Sequence, residues 1–178
     1  MSSTCICRAR TRLSFSTFEP LQLPRAGMTA HRIRQATTAD LAAIERIIHD
    51  AYCHYIDRIG ATPGPMRDDY RQRISQGQTQ VLEDDAGIQA VLVLVREPDC
   101  LLLDNVAVSP SAQGKGYGRE LMQWAEIQAR QAGYRQIRLY TQESMTENIG
   151  IYQRYGYVET HRAEEIGLKR VFMTKSLR

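Results

Sequence analysis

At 178 residues and 43% hydrophobic content the chain has room for one domain with a real core, and its longest apolar run is far too short to span a bilayer, which predicts a soluble, cytoplasmic protein. The net charge of +3 sits entirely in residues 1–27, where Arg8, Arg10, Arg12 and Arg25 face Glu19 alone; residues 28–178 hold 19 basic and 19 acidic side chains. A neutral domain carries no electrostatic footprint for nucleic acid, and Cys5, Cys7, Cys53 and Cys100 make neither a CxxC pair nor a zinc spacing, so idle thiols and no metal site are expected.

Residues 1–27 are rich in Ser, Thr and Arg and end in Pro24-Arg25-Ala26-Gly27 before Met28. Their composition resembles an organelle transit peptide without the apolar core of a secretory signal. The favoured reading is a disordered leader, or an upstream start with Met28 the true first residue. Residues 28–178 then read as a single domain.

Within it, His31 to Ala36 alternates as an edge strand. Thr37 or Thr38 caps a helix whose apolar stripe is Leu41, Ile44, Ile48, Ala51 and Tyr55. Gly60 to Pro65 breaks the chain, and Arg67 to Gln76 predicts a second short helix. Gln78 to Glu83 and Ile88 to Arg96 are strands joined by an Asp84-to-Gly87 turn, the second apolar enough to be buried on both faces. Another strand begins near Cys100. A helix follows to about Ala132, with Leu121, Met122, Ala125 and Ala129 inward and Gly133 as its stop. Arg135 to Thr141 is a strand, Thr146 to Tyr155 a helix stopped by Gly156, and Tyr157–Glu165 with Leu168–Thr174 a closing antiparallel hairpin.

The stretch with chemical content is Leu101 to Leu121. An apolar strand through Val106-Ala107-Val108 runs into Gln113-Gly114-Lys115-Gly116-Tyr117-Gly118-Arg119, where a helix starts at once. The first N–H groups of a helix have no internal partner and sit at the positive end of its dipole. Glycines let that backbone approach an anion closely. The turn is not a P-loop, since no Lys-Ser or Lys-Thr pair stands at the required place. Nor is it a dinucleotide fingerprint, since Gly114, Gly116 and Gly118 are spaced two apart. On the residues alone it binds an anion such as a phosphate, or its glycines serve packing.

Val108-Ser109-Pro110 followed by Gln113-Gly114-Lys115-Gly116-Tyr117-Gly118 resembles motif A of the GNAT superfamily of acetyl-CoA-dependent N-acetyltransferases. Asn148-Ile149-Gly150-Ile151-Tyr152-Gln153-Arg154-Tyr155-Gly156-Tyr157 is similar to a later helix of that family. The resemblance covers about residues 31 to 176. It implies a GNAT-like α/β fold, a six- to seven-stranded mixed sheet flanked by helices, and acetyl-CoA as co-substrate with no metal. It also implies that the fourth strand parts from the fifth. Backbone groups of Val106, Ala107 and Val108 then bind the pantetheine arm, and Gln113, Gly114, Lys115, Gly116, Tyr117, Gly118 and Arg119 hold the pyrophosphate. Tyr152 is implied as the general acid for the departing thiolate, a role suited to a phenol that stays protonated at neutral pH. Asn148, one turn before it, is a candidate coenzyme contact, although the family often has this asparagine where the present chain has Met145.

Amine acetylation also needs a base, because an amine of pKa near 10 is mostly protonated at pH 7. Some relatives use a glutamate on the fourth strand, at about the position of Leu102. Asp104, two residues on, shares that strand face and is the candidate base, acting directly or through water, or else a buried structural carboxylate. His54 and His161 are weaker candidates. The acceptor site is expected from the first helices and their break, with Tyr55, Arg58, Met66, Asp69 and Tyr70 as its residues and Tyr52, Pro63 and Pro65 nearby; Asp69 suits a cationic amine and Arg58 a carboxylate. The expected function is acetyl transfer to the primary amine of a small molecule. A protein or peptide N-acetyltransferase and a non-catalytic acyl-CoA-binding module remain alternatives, and the resemblance leaves room for a homodimer and for longer acyl donors.

Overall fold

A computed structural model describes residues 31–165 and 167–177; the leader reading for residues 1–27 lies outside the described residues. Among the described residues seven strands form one mixed sheet: β1 (Arg32–Gln35), β2 (Thr79–Asp84), β3 (Gly87–Arg96), β4 (Leu101–Val108), β5 (Gln136–Gln142), β6 (Val158–Glu165) and β7 (Leu168–Ser176). Their order across the sheet is β1-β2-β3-β4-β5-β7-β6, and the β4–β5 pair is parallel among antiparallel neighbours. The helices are α1 (Leu41–Tyr52), α2 (Ile56–Ile59), α3 (Tyr70–Ser75), α4 (Tyr117–Gln131) and α5 (Thr146–Arg154).

Helices cover both faces. On one, α4 sets Leu121, Met122, Ala125 and Ala129 against Leu92, Leu103 and Leu139. On the other, Ile44, Ile47 and Ile48 of α1 pack with Tyr70 and Ile74 of α3 on Val81, Val91 and Val93. Strand β3 serves both clusters, which is why Ala90 to Leu94 is apolar without alternation. The Thr37 turn that starts the first helical region closes as a capping box. The Asp40 carboxylate accepts the Thr37 N–H at 2.7 Å and pairs with Arg34 at 2.7 Å. Arg34 holds that carboxyl well below the usual carboxylate range.

Two elements differ from the sequence reading. The first long helix ends at Tyr52 and continues only as a tight turn to Tyr55 and the one-turn α2. The second begins at Tyr70, not Arg67, because Asp69 caps it: its side chain accepts the Gln72 N–H at 3.0 Å.

Two irregularities of β4 position the site. In the β3–β4 ladder Val93 faces Asn105 and Leu94 faces Leu103, so Asp104 is an extra, bulged residue. Before the bulge Leu101 and Leu103 face the α4 cluster; after it Val106 and Val108 do, while Ala107 faces α1. One inserted residue has switched the parity of the strand. The second irregularity is on the other edge, where β4 pairs with β5 only at Leu101, Leu102 and Leu103. Beyond Leu103 the two strands part.

Candidate functional site

The parting of β4 from β5 opens two cavities that share a wall. The first, about 410 Å³, is lined from β4 by Leu103, Asp104, Asn105 and Val106, and from β5 by Tyr140, Thr141 and Gln142. Arg73, Pro63, Pro65, Arg67 and Asp68 close it from the helical side, and Leu168 and Arg170 from β7. The second, about 500 Å³, runs along Val106, Ala107 and Val108 to Gln113 and Gly118 at the start of α4, with His54, Tyr55, Ile151 and Tyr155 on its sides. Tyr52, Val106, Asn148 and Tyr152 line both.

At the head of α4 the backbone is shaped for an anion. Gly114 and Gly116 have φ of +81° and +90°, and a Cβ at either would meet nothing within 4 Å, so the space outside them is open. The first intrahelical bond runs from the Glu120 N–H to the Gly116 carbonyl at 3.1 Å. The N–H groups of the turn before it therefore lack helical acceptors. Tyr117 points inward instead, and its hydroxyl donates to Asp84 at 2.8 Å. Lys115 lies 3.5 Å from the same carboxylate. Arg119 and Lys115 stand on the exposed rim of this turn.

Tyr152 is carried on α5 with its ring edge against Tyr157, 6.1 Å between centroids. Burial pushes its hydroxyl up to about 12, so it is protonated across the neutral range. Asn148, a turn earlier, reaches Met145 Sδ at 3.5 Å and faces both cavities. Asp104 is held on both oxygens: Arg73 Nη2 donates to Oδ2 at 2.9 Å and the Tyr140 hydroxyl to Oδ1 at 2.5 Å. Burial, and then the Asp104 charge, raises the Tyr140 hydroxyl above its ordinary value. Arg73 also binds Asp68 and Gln78, each at 2.9 Å.

Because of the bulge, Asn105 shares the α1 side with Asp104. Its Oδ1 accepts from the Tyr52 hydroxyl at 2.5 Å, its amide donates to the Tyr70 oxygen at 3.0 Å, and Tyr70 donates to the Pro65 carbonyl at 3.1 Å. This chain ties α1, β4, α3 and the loop before α3 into one rigid flank. Burial raises the Tyr52 and Tyr70 hydroxyls above their ordinary values, which keeps both as donors.

The structure brings together some sequence candidates and disperses others. Val106, Ala107, Val108, Gln113, Gly118, Asn148 and Tyr152 line the second cavity, and Asp104 lines the first. The proposed acceptor residues fare differently. Asp69 is spent as the α3 cap and Arg58 pairs with Glu147 at 2.8 Å; neither lines a cavity. Met66 packs against the α1 cluster and Tyr70 is buried in the Asn105 network, so they support the wall from behind. Tyr55 faces the second cavity, not the first. His54 sits beside it, ring centroids 4.0 Å apart, and His161 stacks on Phe172 away from both cavities. Sequence reasoning missed Arg73, Asn105, Tyr140 and Arg170. Asn105 adjoins the apolar run and was legible as a polar intruder in a buried strand; the other three carried no such signal.

Among the described residues no cluster of metal-ligating side chains occurs, and no helix is long and apolar enough to cross a membrane. Residues 75–159 match the family model described as the acetyltransferase (GNAT) domain. Solved structures show the same fold at low identity. The ribosomal-protein-S18-alanine N-acetyltransferase of Escherichia coli superposes with a TM-score of 0.67 at 19% identity, covering 83% of this chain and 94% of that one. The PaiA N-acetyltransferase of Thermoplasma acidophilum, in complex with coenzyme A, gives 0.69 at 15%, covering 83% and 99%. Nourseothricin acetyltransferase gives 0.65 at 21%, covering 84% and 100%. Within residues 75–159 the chain therefore matches a GNAT acetyltransferase domain, and the fold agrees with that match. Domain and fold together indicate an acyltransferase.

Proposed function

We propose that the protein transfers the acetyl group of acetyl-CoA to the primary amine of a small molecule. The observation that carries this reading is the pair of cavities meeting at Tyr52, Val106, Asn148 and Tyr152, one for each substrate. The second cavity suits the coenzyme. Its strand edge offers free backbone groups beyond Leu103, and it ends at the α4 turn, where positive-φ glycines leave room for a pyrophosphate. A member of the same fold was solved with coenzyme A bound. The first cavity, about 410 Å³, has the size of a small-molecule site. The fold's known acceptors do not decide the matter, since the structural neighbours include a ribosomal-protein acetyltransferase and a nourseothricin acetyltransferase.

The chemistry needs three services from this chain. Bound acetyl-CoA supplies an acyl carbon activated as a thioester. The backbone of Val106 to Val108 orients the arm and offers N–H groups to the carbonyl oxygen as charge builds there. The acceptor nitrogen enters from the first cavity, and Asp104 takes the ammonium proton directly or through water. The N–C bond forms as the C–S bond breaks, and the sulfur leaves with the bonding pair and gains a proton. Tyr152 faces both cavities at that junction and donates to the departing sulfur. A hydroxyl near 12 is a weaker acid than a thiol, so its main service is a hydrogen bond to the developing thiolate, with the proton finally drawn from the amine. Tyr152→Phe removes only that donor. The expected result is a kcat loss of about 10²–10³-fold, the worth of one donor to developing negative charge, with the acetyl-CoA dissociation constant nearly unchanged. Equal kcat for variant and parent, with a true acceptor and saturating donor, would remove Tyr152 from the mechanism.

A further inference from the structure

The first cavity has an unequal charge balance. Three arginines line it, Arg67, Arg73 and Arg170, against two aspartates, Asp68 and Asp104. Both aspartates are committed to Arg73, at 2.9 Å each. Asp104 also receives Tyr140. That leaves two guanidinium groups. Arg67, exposed at the end of the turn before α3, forms no ion pair or side-chain hydrogen bond among the described residues. Arg170 stacks over the Tyr140 ring at 4.3 Å and touches Glu165 at 2.7 Å, an outer carboxylate whose side chain is 46% exposed and does not line the cavity. Neither Arg67 nor Arg170 belongs to the wall shared with the second cavity. Both line the first cavity alone, and Arg170 lies on the Tyr140 ring beside Asp104.

An amine acceptor arrives as an ammonium ion. A simple amine or polyamine would bring only positive charge to a cavity whose two aspartates already serve Arg73, and would leave Arg67 and Arg170 without an anionic partner inside it. An anionic group on the acceptor reverses the sign. A planar guanidinium binds a carboxylate through two parallel N–H donors, and stacking on an aromatic ring holds that fork without using its edge. The remaining wall is apolar, from Ile59, Pro63, Leu103, Met145 and Leu168.

Building on the acetyltransferase reading above, we infer that the acceptor is a free amino acid or a close analogue. Arg67 and Arg170 receive its carboxylate, and its amine lies at the Asp104–Tyr152 end. The reaction is then amide formation on the amino nitrogen: the N–C bond replaces the C–S bond, one proton of the attacking amine ends on the coenzyme thiol, and the ammonium's extra proton passes to Asp104 and on to water. The carboxylate is untouched.

The test is thiol release from acetyl-CoA with matched acceptors that differ only in the carboxylate: leucine against 3-methylbutylamine, and methionine against 3-(methylthio)propylamine. The amino acid of each pair is expected to win by about 10- to 100-fold in kcat/KM, the worth of one charge-assisted contact. Arg67→Gln should collapse that ratio toward unity, chiefly through KM for the amino acid; Arg170→Gln should do the same, and Arg67→Lys should restore part of it. Turnover of both members of a pair at equal kcat/KM, or a ratio unaffected by Arg67→Gln and Arg170→Gln, overturns this inference and leaves small-molecule acetyl transfer standing. No turnover with any free amine, while acetyl-CoA still binds by calorimetry, overturns both.

Discussion

Asp104→Asn keeps the shape of the side chain and removes its charge. The carboxylate accepts from Arg73 at 2.9 Å on one oxygen and from Tyr140 at 2.5 Å on the other. An asparagine has one oxygen for two donors, so its amide nitrogen must face one of them. Tyr140 can rotate its hydroxyl and accept; Arg73 has only donors. The amide nitrogen therefore settles opposite Tyr140, and the bond to Arg73 survives without its charge. Arg73 keeps Asp68 and Gln78, and its side chain is 23% exposed. The loss is one charge-assisted bond, about 1.5–3 kcal/mol, below the 3–5 kcal/mol of a buried charge stripped of all partners. Urea unfolding of the two proteins measures it. The kinetic effect has a different signature. If Asp104 takes the ammonium proton, kcat/KM falls about 10²–10⁴-fold near pH 7. The deficit then narrows by roughly tenfold per pH unit toward the amine pKa near 10, where free amine no longer limits. A rate deficit constant from pH 7 to about 9.5, beside the expected stability loss, refutes the base assignment and leaves a structural carboxylate. An unchanged urea midpoint refutes the account of the contacts.

Two further outcomes follow from the same geometry. Gly116→Val places a β-branched side chain at φ +90° in open space at the α4 turn, so it should cost about 1–3 kcal/mol of stability and most of the acetyl-CoA affinity. Gly133→Val, at φ +82° beyond the other end of α4, should show the stability loss alone, and matching affinities by calorimetry would sink the pyrophosphate assignment. Tyr52, Tyr70, Tyr140, Tyr152 and Tyr157 all have hydroxyls raised by burial. The fold thus favours their protonated forms, so stability is complete below the unfolded tyrosine value of about 10 and is lost as pH rises toward the folded values, about 12 for Tyr152. Urea midpoints flat from pH 9 to about 11.5, with every tyrosine ionising near 10 by ultraviolet absorption, would contradict that burial.

Much of the scaffold was readable because its signals are local. The α4 turn announces itself by glycines at a strand–helix corner, and the α4 stripe by helical spacing of Leu121, Met122, Ala125 and Ala129. The start of α3 was also legible in principle, since Asp69 stands three residues before Gln72 in the manner of a cap; read as an acceptor ligand, the same aspartate hid the boundary. The acceptor side was not legible for a different reason. Arg73, Asp104 and Tyr140 are separated by 31 and 36 residues and meet only because the long Arg73 side chain reaches from α3, packed on β2 and β3, to Asp104 where β4 parts from β5. The bulge that turns Asn105 toward Tyr52 leaves no trace in a run of Leu101-Leu102-Leu103 whose three residues are all buried. Pattern reading assigns faces by parity, and one extra residue resets parity without changing composition.

The wall common to the two cavities has a consequence for how the site can change. Under the proposed assignment, Tyr52 and Val106 are at once the floor of the acceptor cavity and the side of the coenzyme groove. Trimming either to admit a bulkier amine also opens a passage from bulk water to the thioester. The variant best able to accept a larger partner is thereby the one most prone to futile hydrolysis of its donor. Acceptor range can widen without that leak on the far side, at Ile59, Pro63 and Leu168, which line the first cavity alone.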